Sequence, residues 1–345
     1  MPYKSLFTYA SKELSQDAFL RWLFENYRCD CPTVREACRR LFEAFTKERN
    51  LNFDDIQDLK TVAQWKRIDV AIWFRIKGED YLIAIEDKTA SDLHGDQLNH
   101  YSKEINKHNA WWREHENDPK YPYPERYTKQ DGHELRIYYK TDVIREAEKT
   151  CIEKEQGWKV FDIFDICDLL GDIVSENDVL RDYVSHLHDL RRSAKREAAP
   201  REWDLVAWHS FFADYEIGID ARLPYVETEI GHYQNSYYYI KFLLKNHKTD
   251  RPAVELRSNK YSAREHTWEA LINLYHIDPQ PTQEQIDRWQ ATLTANGIEL
   301  NNRKDISTHK QIGNYLLPVT DDTETALREA LDSAIARLTE LYGKD

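Results

Sequence analysis

Residues 68–74, Ile-Asp-Val-Ala-Ile-Trp-Phe, and 81–86, Tyr-Leu-Ile-Ala-Ile-Glu, are apolar at almost every position. Strand side chains alternate between two faces, so here neither face is suited to water. Ile68, Val70, Ile72, Ile83 and Ile85 make one face; Ala71, Trp73, Leu82 and Ala84 make the other. A sheet built on this pair must be covered on both sides. Within it stand charges that do not belong in a core: Asp69 in the first strand, and Glu86-Asp87-Lys88 at the end of the second. Burying an unpaired charge costs several kcal/mol, so such a cluster pairs internally or holds a cation.

The link Lys77-Gly78 suits a two-residue hairpin loop, which sets Asp69 opposite Glu86. A three-residue loop centred on Gly78 would instead set Asp69 beside Asp87. Parity also puts Glu86 and Lys88 on one face and turns the Asp87 side chain to the other. Two facing carboxylates repel unless a cation lies between them, and hard oxygen ligands with open positions suit Mg²⁺ or Mn²⁺. A lysine beside them can orient or deprotonate a water, or stabilise charge on an attacked phosphate. The competing reading is an ordinary cross-strand ion pair on a solvated face.

Around the hairpin, periodicity predicts helices over 15–27, with Ser15 as N-cap, and over 33–47, started by Pro32-Thr33. A helix over 93–112, strands over 135–140 and 158–162, and a helix opening at 165–170 follow. The order gives an α/β core, a small mixed sheet with helices on both faces. The charged stretch 191–202 marks a linker between a domain over 1–190 and a second over 203–345. In the second domain the pattern predicts helices over 204–215, 267–275, 282–296 and 323–342 and strands over 237–245 and 253–258, an α+β arrangement.

Asp69 followed by Glu86-Asp87-Lys88 resembles the D…(D/E)-x-K signature of the PD-(D/E)XK nuclease superfamily, and Ser15-Gln-Asp17-Ala-Phe-Leu-Arg-Trp-Leu-Phe looks like the entry helix of its bacterial members of uncharacterised or defence-associated type. The likeness covers about residues 10–170 and leaves the C-terminal half unaccounted for. Ile68 stands where the name-giving proline would be. The resemblance implies a restriction-endonuclease-like core in which Asp69 and Glu86 bind the metal, Lys88 assists the attacking water, and the Asp87 carbonyl completes the coordination. It would have Asp17 supply a further acid from the helix, with Glu13 as the fallback. An acid in a first helical turn is also favoured by the helix dipole alone. Gln97 and Tyr101, four apart and on one helix face, are similar to the Gln-x-x-x-Tyr element of RecB-like nucleases, which positions the site.

The implied function is hydrolysis of phosphodiester bonds in nucleic acid, DNA foremost, by a metal-activated water, with restriction or phage defence as the setting and a defence complex or homo-oligomer as partner. The alternative is a catalytically silent nuclease-fold subunit acting in binding or assembly. The net charge of −13 argues against coating nucleic acid by bulk electrostatics but leaves a local groove or metal site open. Lys241, Lys245, Lys248, Arg251, Arg257, Lys260 and Arg264, near Tyr237, Tyr238, Tyr239 and Phe242, read either as such a groove or as a solvated hairpin over the second core. Trp111-Trp112 and residues 121–127 read as core or contact surface. His94 and His100 are left outside the site. The five cysteines lack zinc-finger spacing and fit reduced thiols. No apolar run reaches the roughly 20 residues that cross a bilayer, and no long apolar leader opens the chain, so a cytoplasmic protein is expected.

Overall fold

The computed structural model describes residue 7 and residues 13–89, 96–115, 133–233, 237–244, 252–262, 267–274, 282–301, 311–317, 319 and 321–342. The chain divides into two compact units, residues 1–194 and 195–345, each holding its own sheet.

In the first unit, helices α1 (Glu13–Glu25) and α2 (Pro32–Thr46) precede strands β1 (Ile56–Trp65), β2 (Ile68–Ile76) and β3 (Glu79–Lys88). Helix α3 (Gln97–His115) then leads to β4 (Glu134–Lys140), a short α4 (Glu146–Thr150), β5 (Lys159–Phe161), α5 (Ile163–Leu170) and α6 (Asp178–Ala194). The strands lie in sequence order, β1-β2-β3 antiparallel and β3-β4-β5 parallel, a mixed five-stranded sheet.

The hairpin has the two-residue loop. Ile76 pairs with Glu79 and Val70 with Ile85, and Lys77 and Gly78 both take positive φ, 52° and 84°. Two left-handed residues match the twist of the strands they join. A Cβ added at Gly78 would meet nothing within 4 Å, so Gly78→Ala carries only the conformational cost of that φ. Urea denaturation read on the first unit should show a loss of about 1 kcal/mol.

Both sheet faces are covered, as two-sided apolarity requires. Phe42 of α2 meets Phe74 edge-on at 5.2 Å on one face. On the other, Leu98, Tyr101 and Ile105 of α3 join Ala71, Trp73, Leu82 and Ala84 in one buried cluster. Helix α1 starts at Glu13, so Ser15, the expected N-cap, lies inside its first turn. Strand β1 was not expected from sequence, because an edge strand with alternating exposure reads Gln-Asp-Leu-Lys-Thr and carries little apolar signal. The expected helix start at 93 lies outside the described residues. Residues 191–194, expected in a linker, form the last turn of α6, where Arg191 reaches Asp168 at 2.8 Å.

In the second unit, α7 (Leu205–Glu216) is capped by Asp204, whose carboxylate accepts from the Ala207 amide at 3.0 Å, and a short α8 (Ile219–Arg222) follows. Strands β6 (Val226–Tyr233), β7 (Tyr237–Leu244), β8 (Pro252–Ser262) and β9 (Thr267–Leu274) come next. Helix α9 (Gln283–Ala295), strands β10 (Leu300–Asn301) and β11 (Gln311–Leu317) and helix α10 (Glu324–Tyr342) complete the unit. Its sheet is antiparallel throughout, ordered β10-β11-β9-β8-β7-β6. Side chains of α7, α9 and α10 pack on one sheet face around Trp208, Phe211, Ile240, Leu256 and Ile272. The helix expected over 267–275 is strand β9. Glu-Ala-Leu favours helix locally, but β9 lies between β8 and β11, and Trp268, Ala270 and Ile272 are buried at every second position. Tertiary pairing overrides local propensity there.

Candidate active site

The C-terminal end of β3 brings the misplaced charges together. Glu86, Asp87 and Lys88 are all buried, with exposures of 0, 0 and 5%. Lys88 donates from Nζ to Glu86 Oε1 and lies 3.3 Å from the Asp87 carbonyl. Gln97, the first residue of α3, donates to the same Glu86 oxygen at 2.6 Å and contacts the Tyr101 hydroxyl at 2.6 Å. Asp69 enters from β2: its Oδ2 accepts from the Asp87 backbone amide at 2.9 Å and its Oδ1 from Gln64 at 2.9 Å. Asp69, Glu86, Lys88, Gln97 and Tyr101 thus form one group drawn from two strands and the following helix.

The electrostatics follow from this crowding. Burial, reinforced by the Asp69 carboxylate and opposed by Lys88, pushes the Glu86 carboxyl up to about 8. Its Oε2 is buried without a hydrogen-bond partner among the described residues. Tyr101 is raised chiefly by burial, with the Gln97 contact acting against it and the Glu86 and Asp69 charges adding to it.

Asp87 turns the other way, as parity requires, and its carboxyl is raised well above the usual range by burial and by the nearby Asp17. Asp17, itself 5% exposed, is therefore brought to Asp87 on the α1 side of the sheet. The Glu13 side chain and His94 lie outside the described residues. Gln16, next to Asp17, donates to Asp87 Oδ1, and Thr141, just after β4, donates to Gln16 Oε1 at 2.8 Å. Sequence reasoning passed over Gln16, Thr141 and Gln64. It also passed over Lys140, fully buried and in register with Lys88 on β4, its Nζ 3.6 Å from Glu148. A lysine closing a strand as apolar as Leu-Arg-Ile-Tyr-Tyr is the signal that could have found it.

A family model described as the PD-(D/E)XK nuclease superfamily matches residues 5–185, more than half of the chain. The chain belongs to that superfamily. No curated protein and no solved structure matches it. The superfamily's mixed sheet flanked by helices is the architecture of the first unit. A PD-(D/E)XK chain implies phosphodiester hydrolysis in nucleic acid and, typically, a divalent metal.

The residues present can be weighed against such an ion. Among the described residues, no three His, Cys, Asp or Glu side chains form a ready-made metal cluster. Mg²⁺, however, binds through one or two carboxylates and fills its shell with water and phosphate oxygens. Asp69, Glu86 with its unsatisfied Oε2, and the Asp87 carbonyl fit that requirement. Lys88 Nζ, touching Glu86 Oε1 and the Asp87 carbonyl together, contributes the positive charge these oxygens call for.

The two cations of the basic strip whose side chains are described, Lys241 and Arg257, are both paired. Lys241 pairs with Glu229 at 2.5 Å across β6 and β7, and Arg257 pairs with Glu255. Both cations also cover tyrosine rings, Lys241 over Tyr239 at 4.6 Å and Arg257 over Tyr237 at 5.2 Å. Tyr238 and Phe242 are buried in the core. Lys245, Lys248, Arg251 and Arg264 lie outside the described residues, as do residues 121–127 and the side chains of Lys260, Trp111 and Trp112. Among the described residues, no helix is long and apolar enough to cross a membrane.

Proposed function

We propose that the chain is a Mg²⁺- or Mn²⁺-dependent phosphodiesterase that hydrolyses nucleic acid, with DNA as substrate. The observation that carries this reading is the Asp69–Glu86 carboxylate pair on adjacent strands, with Lys88 and Gln97 both donating to Glu86 Oε1 and its Oε2 left unsatisfied. Asp69, Glu86 and the Asp87 carbonyl would hold the ion, with Asp17 the further acid behind Asp87. Bound there, the ion would acidify a water and neutralise the attacked phosphate. Gln97, backed by Tyr101, keeps Glu86 turned toward Asp69. Lys88 offers a proton donor and a positive charge where negative charge grows on the phosphoryl oxygens.

The burial of Glu86 and Lys88 suits a resting state that opens only on engaging substrate or a partner, as restriction or phage defence in the cytoplasm demands. The second unit, over the expected 203–345, would bind substrate or a partner subunit, and self-association would be one form of that restraint.

Incubation with Mg²⁺ or Mn²⁺ and labelled duplex DNA, single-stranded DNA and RNA tests the reading. Cleavage should appear on DNA, and Asp69→Ala should lower it at least about a hundredfold. Cleavage unchanged in Asp69→Ala would move the chemistry elsewhere. No cleavage of any substrate, with no metal uptake by calorimetry and none in the presence of captured partners, would favour the silent assembly subunit.

A further inference from the structure

Asp87 is the middle residue of the motif, yet its side chain points away from the chemistry. Its backbone does not. The Asp87 amide donates to Asp69 Oδ2 at 2.9 Å, and its carbonyl lies 3.3 Å from Lys88 Nζ. One peptide segment therefore touches both charged partners of Glu86, and whatever fixes the Asp87 side chain fixes that segment.

Two residues far away in sequence do so. Gln16, on α1, donates its amide to Asp87 Oδ1 across a separation of 71 residues. Thr141, immediately after β4, donates its hydroxyl to Gln16 Oε1 at 2.8 Å across a separation of 125. The Gln16 amide thus bridges the two, its nitrogen on Asp87 Oδ1 and its oxygen on the threonine hydroxyl. Thr141 is itself anchored, its backbone amide donating to the Lys88 carbonyl at 3.0 Å. Gln16 and Thr141 are 4 and 3% exposed, so water offers these polar atoms little alternative.

We propose that Gln16 and Thr141 are positioning residues that hold the Asp87 peptide and, through it, set Asp69 and Lys88 in register for catalysis. The brace joins α1, the end of β3 and the end of β4 in one circuit. It runs from the Lys88 carbonyl to the Thr141 amide, from the Thr141 hydroxyl to Gln16, from Gln16 to Asp87, and from the Asp87 amide to Asp69. Its catalytic consequence rests on the nuclease reading above; its structural consequence does not. Reacting groups need placement within a fraction of an ångström, so a loosened Asp87 peptide should slow turnover without weakening substrate capture.

Three variants separate the brace from simple packing. Gln16→Met keeps the length but removes the amide. Thr141→Val keeps the volume and removes the hydroxyl, while Thr141→Ser keeps the hydroxyl and drops the methyl. The readouts are exchange of the Asp87 amide by NMR of ¹⁵N-labelled full-length protein, and steady-state cleavage. Gln16→Met and Thr141→Val should each accelerate Asp87 exchange at least about tenfold and lower kcat at least about tenfold with KM within about threefold, and Thr141→Ser should stay within about threefold of wild type on every measure. Thr141→Val matching Thr141→Ser, or Gln16→Met leaving exchange unchanged, overturns the proposal. A wild-type protein that cleaves nothing while Asp87 exchange responds as expected keeps the brace and removes the nuclease reading. An active wild type whose exchange is indifferent to Gln16 and Thr141 does the reverse.

Discussion

Lys88→Met is expected to lower the cleavage rate at saturating Mg²⁺ by at least about a hundredfold while leaving Mg²⁺ affinity equal to or tighter than wild type. Methionine preserves most of the buried stem and deletes only the ammonium. In the structure that ammonium touches Glu86 Oε1 and the Asp87 carbonyl, two of the oxygens assigned to the ion. It is therefore both the positive charge offered to the attacked phosphate and a competitor for the metal's ligands. Removing it takes away the first role and relieves the second. Calorimetric titration of Mg²⁺ beside single-turnover cleavage reads the two roles separately. Cleavage within about threefold of wild type would remove Lys88 from the chemistry. Lost metal affinity together with lost cleavage would make the lysine a strut for Glu86 rather than a participant. Lys88→Arg should not restore activity, because a planar fork cannot take the place of a compact ammonium in a site this buried.

Much of this site was legible because a strand has a period of two. A chain with Asp69 before a two-residue turn and Glu86 after it has little freedom in which residues face one another. Burial on both faces then makes the charges conspicuous. Gln97 and Tyr101 were legible from their four-residue spacing on one helix face together with the likeness to the Gln-x-x-x-Tyr element, and the structure sets Gln97 against Glu86 and Tyr101 against Gln97. Gln16 and Thr141 were not legible, because nothing local distinguishes a glutamine or threonine that bonds across 71 or 125 residues from one that faces water. The same limit explains β1, whose polar edge-strand sequence gains its meaning only from pairing with β2. It also explains β9, where a helix-forming Glu-Ala-Leu is held extended by a strand on each side. The basic strip shows the opposite failure. Its lysine and arginine were visible as charges, but the glutamates that neutralise Lys241 and Arg257 stand opposite or two residues away, and only the register reveals the first.

Metal affinity should climb steeply with pH up to about pH 8, because Glu86 must lose its proton to become a ligand and its carboxyl is held up at about 8 by burial and Asp69. With one proton displaced, the apparent association constant for Mg²⁺ should rise by about fiftyfold between pH 6 and pH 8 and then level off. Glu86→Gln, which has no proton to release, should bind Mg²⁺ weakly and show no such limb. The same raised value fixes the sign of the stability effect in metal-free protein. The folded state holds the Glu86 proton more tightly than the unfolded chain, so folding is favoured most fully below the ordinary glutamate value of 4.5. That contribution is lost as pH rises from there toward about 8, where the buried carboxyl must ionise. Mg²⁺ binds the ionised form, so its stabilisation of the first unit grows over the window in which the metal-free protein weakens. Thermal denaturation with and without Mg²⁺ from pH 5 to pH 9 should therefore give two curves that diverge with rising pH. Curves that stay parallel would mean that Glu86 does not exchange its proton for the ion.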